Sequence, residues 1–258
     1  MQQEYRHAVD DAVKLCRDRF KDGLLAAYWG GSAAFDEGCP PESDVSLFAF
    51  TASEPAEGDA SWAADARAKL GGRHPISKHH RLILFSVSLL RTENWLMKFI
   101  LRYNAVRVDG RDLLAEFESE GITIQRPSPQ VAKGRIPWVR QCVDGLEGGV
   151  LPDVLFKEMM PSDLSEIPPD NFHATRKLAR NFVVLEGAYV LMAAGRFRTF
   201  RQRDVLSDLR GFYAQWNDFL DRTERILAGP HAAGISPLRF AKDALPFAKW
   251  SVQQMEKA

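Results

Sequence analysis

Cysteine is scarce in this chain of 258 residues: Cys16, Cys39 and Cys142 are its only three. An odd, scattered set without close pairs argues against a disulfide framework or a cysteine-built metal centre. It reads as free thiols in a reducing compartment. A surplus of charge is lacking too, because 34 Lys and Arg balance 34 Asp and Glu. No global field therefore draws the chain to nucleic acid or to an anionic membrane, and neither is expected as a partner. No apolar run approaches the length of a membrane span, and no secretory signal opens the sequence, so a cytoplasmic location is expected. Gly71-Gly72-Arg73 and the nearby Lys78 lack the Gly-Lys-Ser/Thr ending of a phosphate-binding P-loop. The paired His79-His80 shows no partners at metal-ligand spacing and reads as surface histidines. What is plentiful is aromatic: six Trp and 16 Phe imply substantial packed cores, in one large domain or two smaller ones.

Hydrophobic spacing orders the chain into elements. Tyr5, Ala8, Val9, Ala12, Val13 and Cys16 recur at helical spacing over residues 4–21. Leu24 to Trp29 and Asp44 to Phe50 read as strands. Ser61 to Leu70 reads as a helix ended by Gly71-Gly72, and 82–90 as an apolar strand. An amphipathic helix follows over Glu93 to Tyr103. Val106 to Leu114 reads as a strand, a turn and a helix start. From residue 121 onward Pro127, Pro129, Pro137, Pro152, Pro161, Pro168 and Pro169 suggest an irregular connector with short helices. Long helical patterns then cover 173–194, 201–228 and 236–256, and Pro246 should kink or interrupt the last.

The densest chemistry lies in Tyr28-Trp29-Gly30-Gly31-Ser32-Ala33-Ala34-Phe35, followed by Pro40-Pro41-Glu42-Ser43-Asp44-Val45-Ser46. A Gly-Ser turn lets backbone amides and a hydroxyl approach an anion closely, because glycine has no side chain in the way. Residues two apart on a strand share a face, so Asp44 and Ser46 point the same way. This order of strand, Gly-Ser turn and acid-led strand resembles the signature of the nucleotidyltransferase superfamily, shared by DNA polymerase β and the aminoglycoside nucleotidyltransferases. There the second strand carries Asp-x-Asp; here Ser46 stands at the second aspartate. A third carboxylate is expected on the strand at 82–90, where Leu84 takes its place and the run holds no Asp or Glu. Val108-Asp109-Gly110-Arg111-Asp112-Leu113-Leu114 is similar to a stretch that follows the core sheet in the antibiotic-modifying members.

The resemblance implies an α+β fold: a small mixed nucleotidyltransferase-like sheet flanked by helices, followed by a C-terminal helical bundle. The corresponding boundaries are 1–125 for the sheet domain, 126–170 for the connector and 171–258 for the helical domain, with a ligand cleft between the lobes. It also implies Mg2+ with ATP or another nucleoside triphosphate, and a small-molecule acceptor. Asp44 would be the catalytic and metal-binding acid, with Gly31, Ser32 and Ser46 on the nucleotide. Glu42, two residues before Asp44, is a candidate substitute acid, set against a plain solvated turn; Asp36 and Glu37 are further loop acids. Arg201, within the run Arg196 to Arg203, and Lys177 are candidate phosphate contacts, set against a solvated basic turn offsetting Asp204 and Asp208. Two readings stay open. Either nucleotidyl transfer is weakened or lost and the fold binds a nucleotide or small molecule, or Asp44 with Glu42 still transfers a nucleotide to a hydroxyl of an antibiotic-like acceptor.

Overall fold

The helical spacing near the start closes into α1 (Gln3–Phe20), whose buried stripe is Tyr5, Ala8, Val9, Ala12, Val13 and Cys16. Burial pushes the Cys16 thiol up to about 12, with Asp109 adding to the effect, so it is an inert core group. The computed structural model describes residues 3–41, 43–77, 79–92, 95–150 and 163–258. The chain divides into two compact units, Met1–Arg126 and Pro127–Ala258.

In the first unit α1 is followed by β1 (Leu24–Gly30), β2 (Val45–Thr51), α2 (Glu57–Arg73), β3 (His80–Ser86), α3 (Val87–Thr92), α4 (Trp95–Asn104), β4 (Ala105–Gly110) and α5 (Leu113–Ser119). The strands form one mixed sheet in the order β3-β2-β1-β4. β1 runs antiparallel to β2 and to β4, while β2 and β3 are parallel. Side chains alternate between two cores. Ala27, Trp29, Val45, Leu47, Ala49 and Leu82 join the stripe of α1 and Ala63, Ala66 and Leu70 of α2. On the other face Ala26, Tyr28 and Phe50 pack with Val87, Leu90, Leu101, Leu113 and Phe117.

Three local features depart from the sequence reading. α2 starts earlier and runs through both glycines, because Asp59 fixes its first turn. One Asp59 oxygen accepts the Ala56 N–H at 2.8 Å and the other accepts Arg19 of α1 at 2.8 and 3.0 Å. The apolar run at 82–90 is a strand only as far as Ser86, whose hydroxyl accepts the Leu89 N–H at 3.3 Å and turns the chain into α3. His80 is not a surface residue: it is 7% exposed and its Nε2–H donates to the His74 carbonyl at 2.9 Å.

The second unit is helical: α6 (Pro129–Glu147), α7 (Phe172–Ala179), a π turn (Arg180–Leu185), α8 (Glu186–Ala193), α9 (Gln202–Phe212), α10 (Asn217–Ala228), α11 (Pro230–Ala233) and α12 (Pro237–Lys257). The first part of the proline-punctuated stretch is therefore one 19-residue helix where short helices were expected. Pro129 sits in its first turn, where its missing N–H costs nothing, and the Ser128 hydroxyl accepts the Val131 N–H at 3.3 Å. Pro137 and Pro246 lie inside α6 and α12, yet both helices continue. Buried residues on either side, such as Ala132 and Val139 or Ala244 and Phe247, hold them by packing that outweighs the proline. The pattern at 201–228 is two helices, parted at Tyr213.

One charged pair is sunk in this unit. Glu186 is fully buried at the start of α8, and its Oε1 accepts Arg135 of α6 at 3.0 and 3.3 Å. The guanidinium lies 3.4 Å from the Trp138 ring centroid and 5.4 Å from that of Tyr189. Glu186 Oε2 has no hydrogen-bond partner among the described residues. Burial pushes the Glu186 carboxyl up to about 7, against the pull of Arg135.

Candidate functional site

Gly30 closes β1 opposite Ser46 of β2. A methyl group on Gly30 would stand 2.6 Å from the Phe48 ring, so the glycine lets that ring lie over β1. Gly31 then adopts φ 95° and ψ −179°, a region essentially reserved to glycine. It swings the chain into a short 3-10 turn, Ser32–Phe35. The loop that follows is closed at its neck by hydroxyls. Ser32 Oγ and Ser43 Oγ, both buried, lie 3.2 Å apart, and Ser43 Oγ also accepts the Cys39 N–H at 2.8 Å. Asp44 follows immediately and is half-buried, while the Val45 N–H donates to the His79 carbonyl at 3.1 Å.

The parallel register of β2 and β3 decides which side chains share this end of the sheet. Ser46 pairs with Arg81, Phe48 with Ile83 and Phe50 with Phe85; on the opposite face Leu47 pairs with Leu82 and Ala49 with Leu84. Leu84 therefore packs against the core of α1 and α2, with its back to Ser46. The face that carries Ser46 continues across β3 as Arg81, Ile83 and Phe85, and Asp44 stands one residue before β2. His80, paired with Val45, is the nearest titratable neighbour that the sequence reading left on the surface. Burial holds its imidazole below the ordinary histidine value, and the charge of Asp44 pulls the other way.

Magnesium bound to a triphosphate asks for carboxylates converging from neighbouring strands. At this end of the strand pair stand Asp44, the neutral Ser46 and the cationic Arg81. Among the described residues no cluster of three or more His, Cys, Asp or Glu could hold a metal ion. The described donors do not fit a pair of magnesium ions. Glu42, the candidate substitute acid, lies outside the described residues, as does Lys78. Asp36 is exposed at the end of the 3-10 turn, with φ 62°, and Glu37 is half-buried.

The structure thus brings Gly31, Ser32, Asp44 and Ser46 together at one end of the sheet. Lys177, half-buried on α7, and Arg201, exposed before α9 with its N–H donating to Thr199 Oγ1 at 3.1 Å, belong to the second unit. Within the arginine run two members serve local contacts. Arg198 binds Asp208 through Nε at 2.9 Å and through a second nitrogen, and Arg196 lies 3.9 Å from the Phe212 ring centroid. Sequence reasoning passed over Ser43 and Arg81. The first was signalled by its place beside Asp44; the second needed the strand register.

No model of a known protein family matches the chain, and no curated protein is similar to it in sequence. The fold is nucleotidyltransferase-like. A solved structure with the same architecture is the spectinomycin adenyltransferase AAD(9) from Enterococcus faecialis with ATP and spectinomycin. It matches with a TM-score of 0.54 and 14% identity, over 97% of this chain and 99% of that one.

Proposed function

We propose that this protein binds a nucleoside triphosphate at the Gly31-Ser32 turn and the start of β2, with metal-dependent nucleotidyl transfer weakened or lost. The observation that carries the reading is the pairing of an intact turn with a depleted acid set. Gly31 keeps the glycine-only conformation of a close-approach turn, while Ser46 and Leu84 stand where the resemblance expects a second and a third acid beside Asp44. ATP is the nucleotide to try first, since the similar adenyltransferase was crystallised with it. Lys177 and Arg201 are proposed as further phosphate contacts on the sequence resemblance. A small hydroxylated molecule is the acceptor or co-ligand class that the same resemblance suggests.

Calorimetric titration with ATP and GTP, each with and without Mg2+, tests this. Binding is expected, with little gain from the metal. Strong tightening by Mg2+ favours the second reading, an active transferase using Asp44 with Glu42. In that case Asp44→Asn abolishes turnover while the fold persists. Absence of nucleotide binding under every condition overturns the proposal.

A further inference from the structure

Resting on that reading, we propose that Arg81 is the polyphosphate-binding residue of the site and takes the place of the magnesium ions that its described acids do not fit. The argument starts from register. Arg81 is paired with Ser46 across the parallel strands β2 and β3, so the two share a face, and adjacent strands lie only about 4.8 Å apart. Asp44 stands two residues before Ser46, just ahead of β2, with one carboxylate oxygen buried. β3 is an edge strand, so nothing in the sheet covers Arg81 from the far side. Arg81 is exposed. It enters no ion pair or hydrogen bond among the described residues, in contrast to Arg17, Arg19, Arg91, Arg111, Arg198 and Arg210, each of which holds a carboxylate.

The exchange makes physical sense. A metal pair needs anionic ligands on the protein and then presents positive charge to the phosphates. Here the protein presents positive charge directly, through a guanidinium whose planar fork matches two phosphate oxygens. Ser46 can donate its hydroxyl beside it, where a second aspartate would repel a metal-free phosphate. Asp44 is the residual negative charge of the site, and its effect on a bare triphosphate is repulsive. That reverses the sign of its contribution relative to a metal site, and gives the proposal its sharpest test.

The probes are ATP and inorganic triphosphate, titrated into the full chain by calorimetry in excess EDTA and again with Mg2+. The expected result is ATP binding in EDTA, changed less than about threefold by the metal, and weakened about ten- to hundredfold by Arg81→Ala. Arg81→Lys should restore part of it, keeping the charge without the fork. Asp44→Asn should tighten binding in EDTA. Inorganic triphosphate should show the same dependence on Arg81 if phosphates alone are read, whereas dependence seen only with ATP places Arg81 on the nucleotide as a whole. Binding that requires Mg2+, or that Asp44→Asn destroys, overturns the Arg81 proposal and leaves nucleotide binding standing. Metal-free binding indifferent to Arg81→Ala overturns it as well. No binding of ATP with or without Mg2+ removes both this proposal and the functional reading beneath it.

Discussion

In the sheet-bearing unit Asp44, Ser46 and Arg81 stand half-buried or exposed at one end of a strand pair, whereas in the helical unit a fully buried Glu186 pairs with a half-buried Arg135 beside Trp138, Tyr189 and Cys142. In the first set Arg81 is exposed to water, so its charge needs no internal partner. The second must satisfy itself, because an unpaired ion in an apolar interior costs several kcal/mol. Glu186 meets that demand incompletely. One oxygen is bonded to Arg135, the other has no described partner, and the carboxyl is driven toward its neutral form. The difference teaches that a deep charge in this chain must find its partner inside the protein, while a shallow one such as Arg81 need not.

The largest expected effect comes from breaking the deep pair. Arg135→Ala leaves Glu186 buried without its cation and removes a guanidinium packed on Trp138. A loss of about 3–5 kcal/mol in urea-unfolding stability is expected. Replacing both partners with apolar residues of similar size should recover most of it.

The pH response of the same pair sharpens the contrast. Glu186 titrates near 7 when folded, against 4.5 as its ordinary value. Below 4.5 both states hold the proton; between 4.5 and 7 only the folded state does; above 7 neither does. Its contribution to stability therefore falls as pH rises through that window, the reverse of a salt-bridged carboxylate. The swing is on the order of 1–3 kcal/mol. Glu186→Gln should flatten the corresponding part of a plot of thermal midpoint against pH.

A backbone test touches the shallow site. Gly31→Ala forces a side chain into φ 95° and should cost about 1–3 kcal/mol, although nothing stands within 4 Å of the added methyl. Thermal unfolding measures it. The smallest effect is expected at Arg81, where Arg81→Ala should move unfolding stability by less than about 0.5 kcal/mol. A large loss of stability there would place Arg81 among the structural charges and erase the contrast.

Much of the first unit was legible in residue spacing. The stripe of α1 gives a helix, and Gly30-Gly31-Ser32 before Asp44 marks a turn between strands, since φ 95° with an extended ψ, as at Gly31, is a region essentially reserved to glycine. Periodicity could not divide the apolar run after His80, because Leu82 to Leu90 is equally apolar on both sides of Ser86. The boundary is set by one serine hydroxyl. Nor could it assign faces: Leu84 aligns with an expected acid by counting, yet the pairing of Ala49 with Leu84 turns it into the core. Seven prolines masked α6, since a proline in a helix's first turn and one in a loop look alike in sequence. Glu186 did leave a sign, as the sole acid between Asn171 and Arg203, on a helix otherwise apolar or basic. A lone acid of that kind needs a cation brought by another element, here Arg135.

The hydroxyl neck between Ser32 and Ser43 has a consequence for how this chain tolerates change. Because the two ends of the loop meet at this pair, the separation of Gly31 from Asp44 is set at the neck and not by the number of residues between them. Lengthening a surface loop adds little to its closure entropy, about 0.6 kcal/mol for each doubling. A longer loop is thus cheap in closure entropy, while loss of either serine unties its two ends.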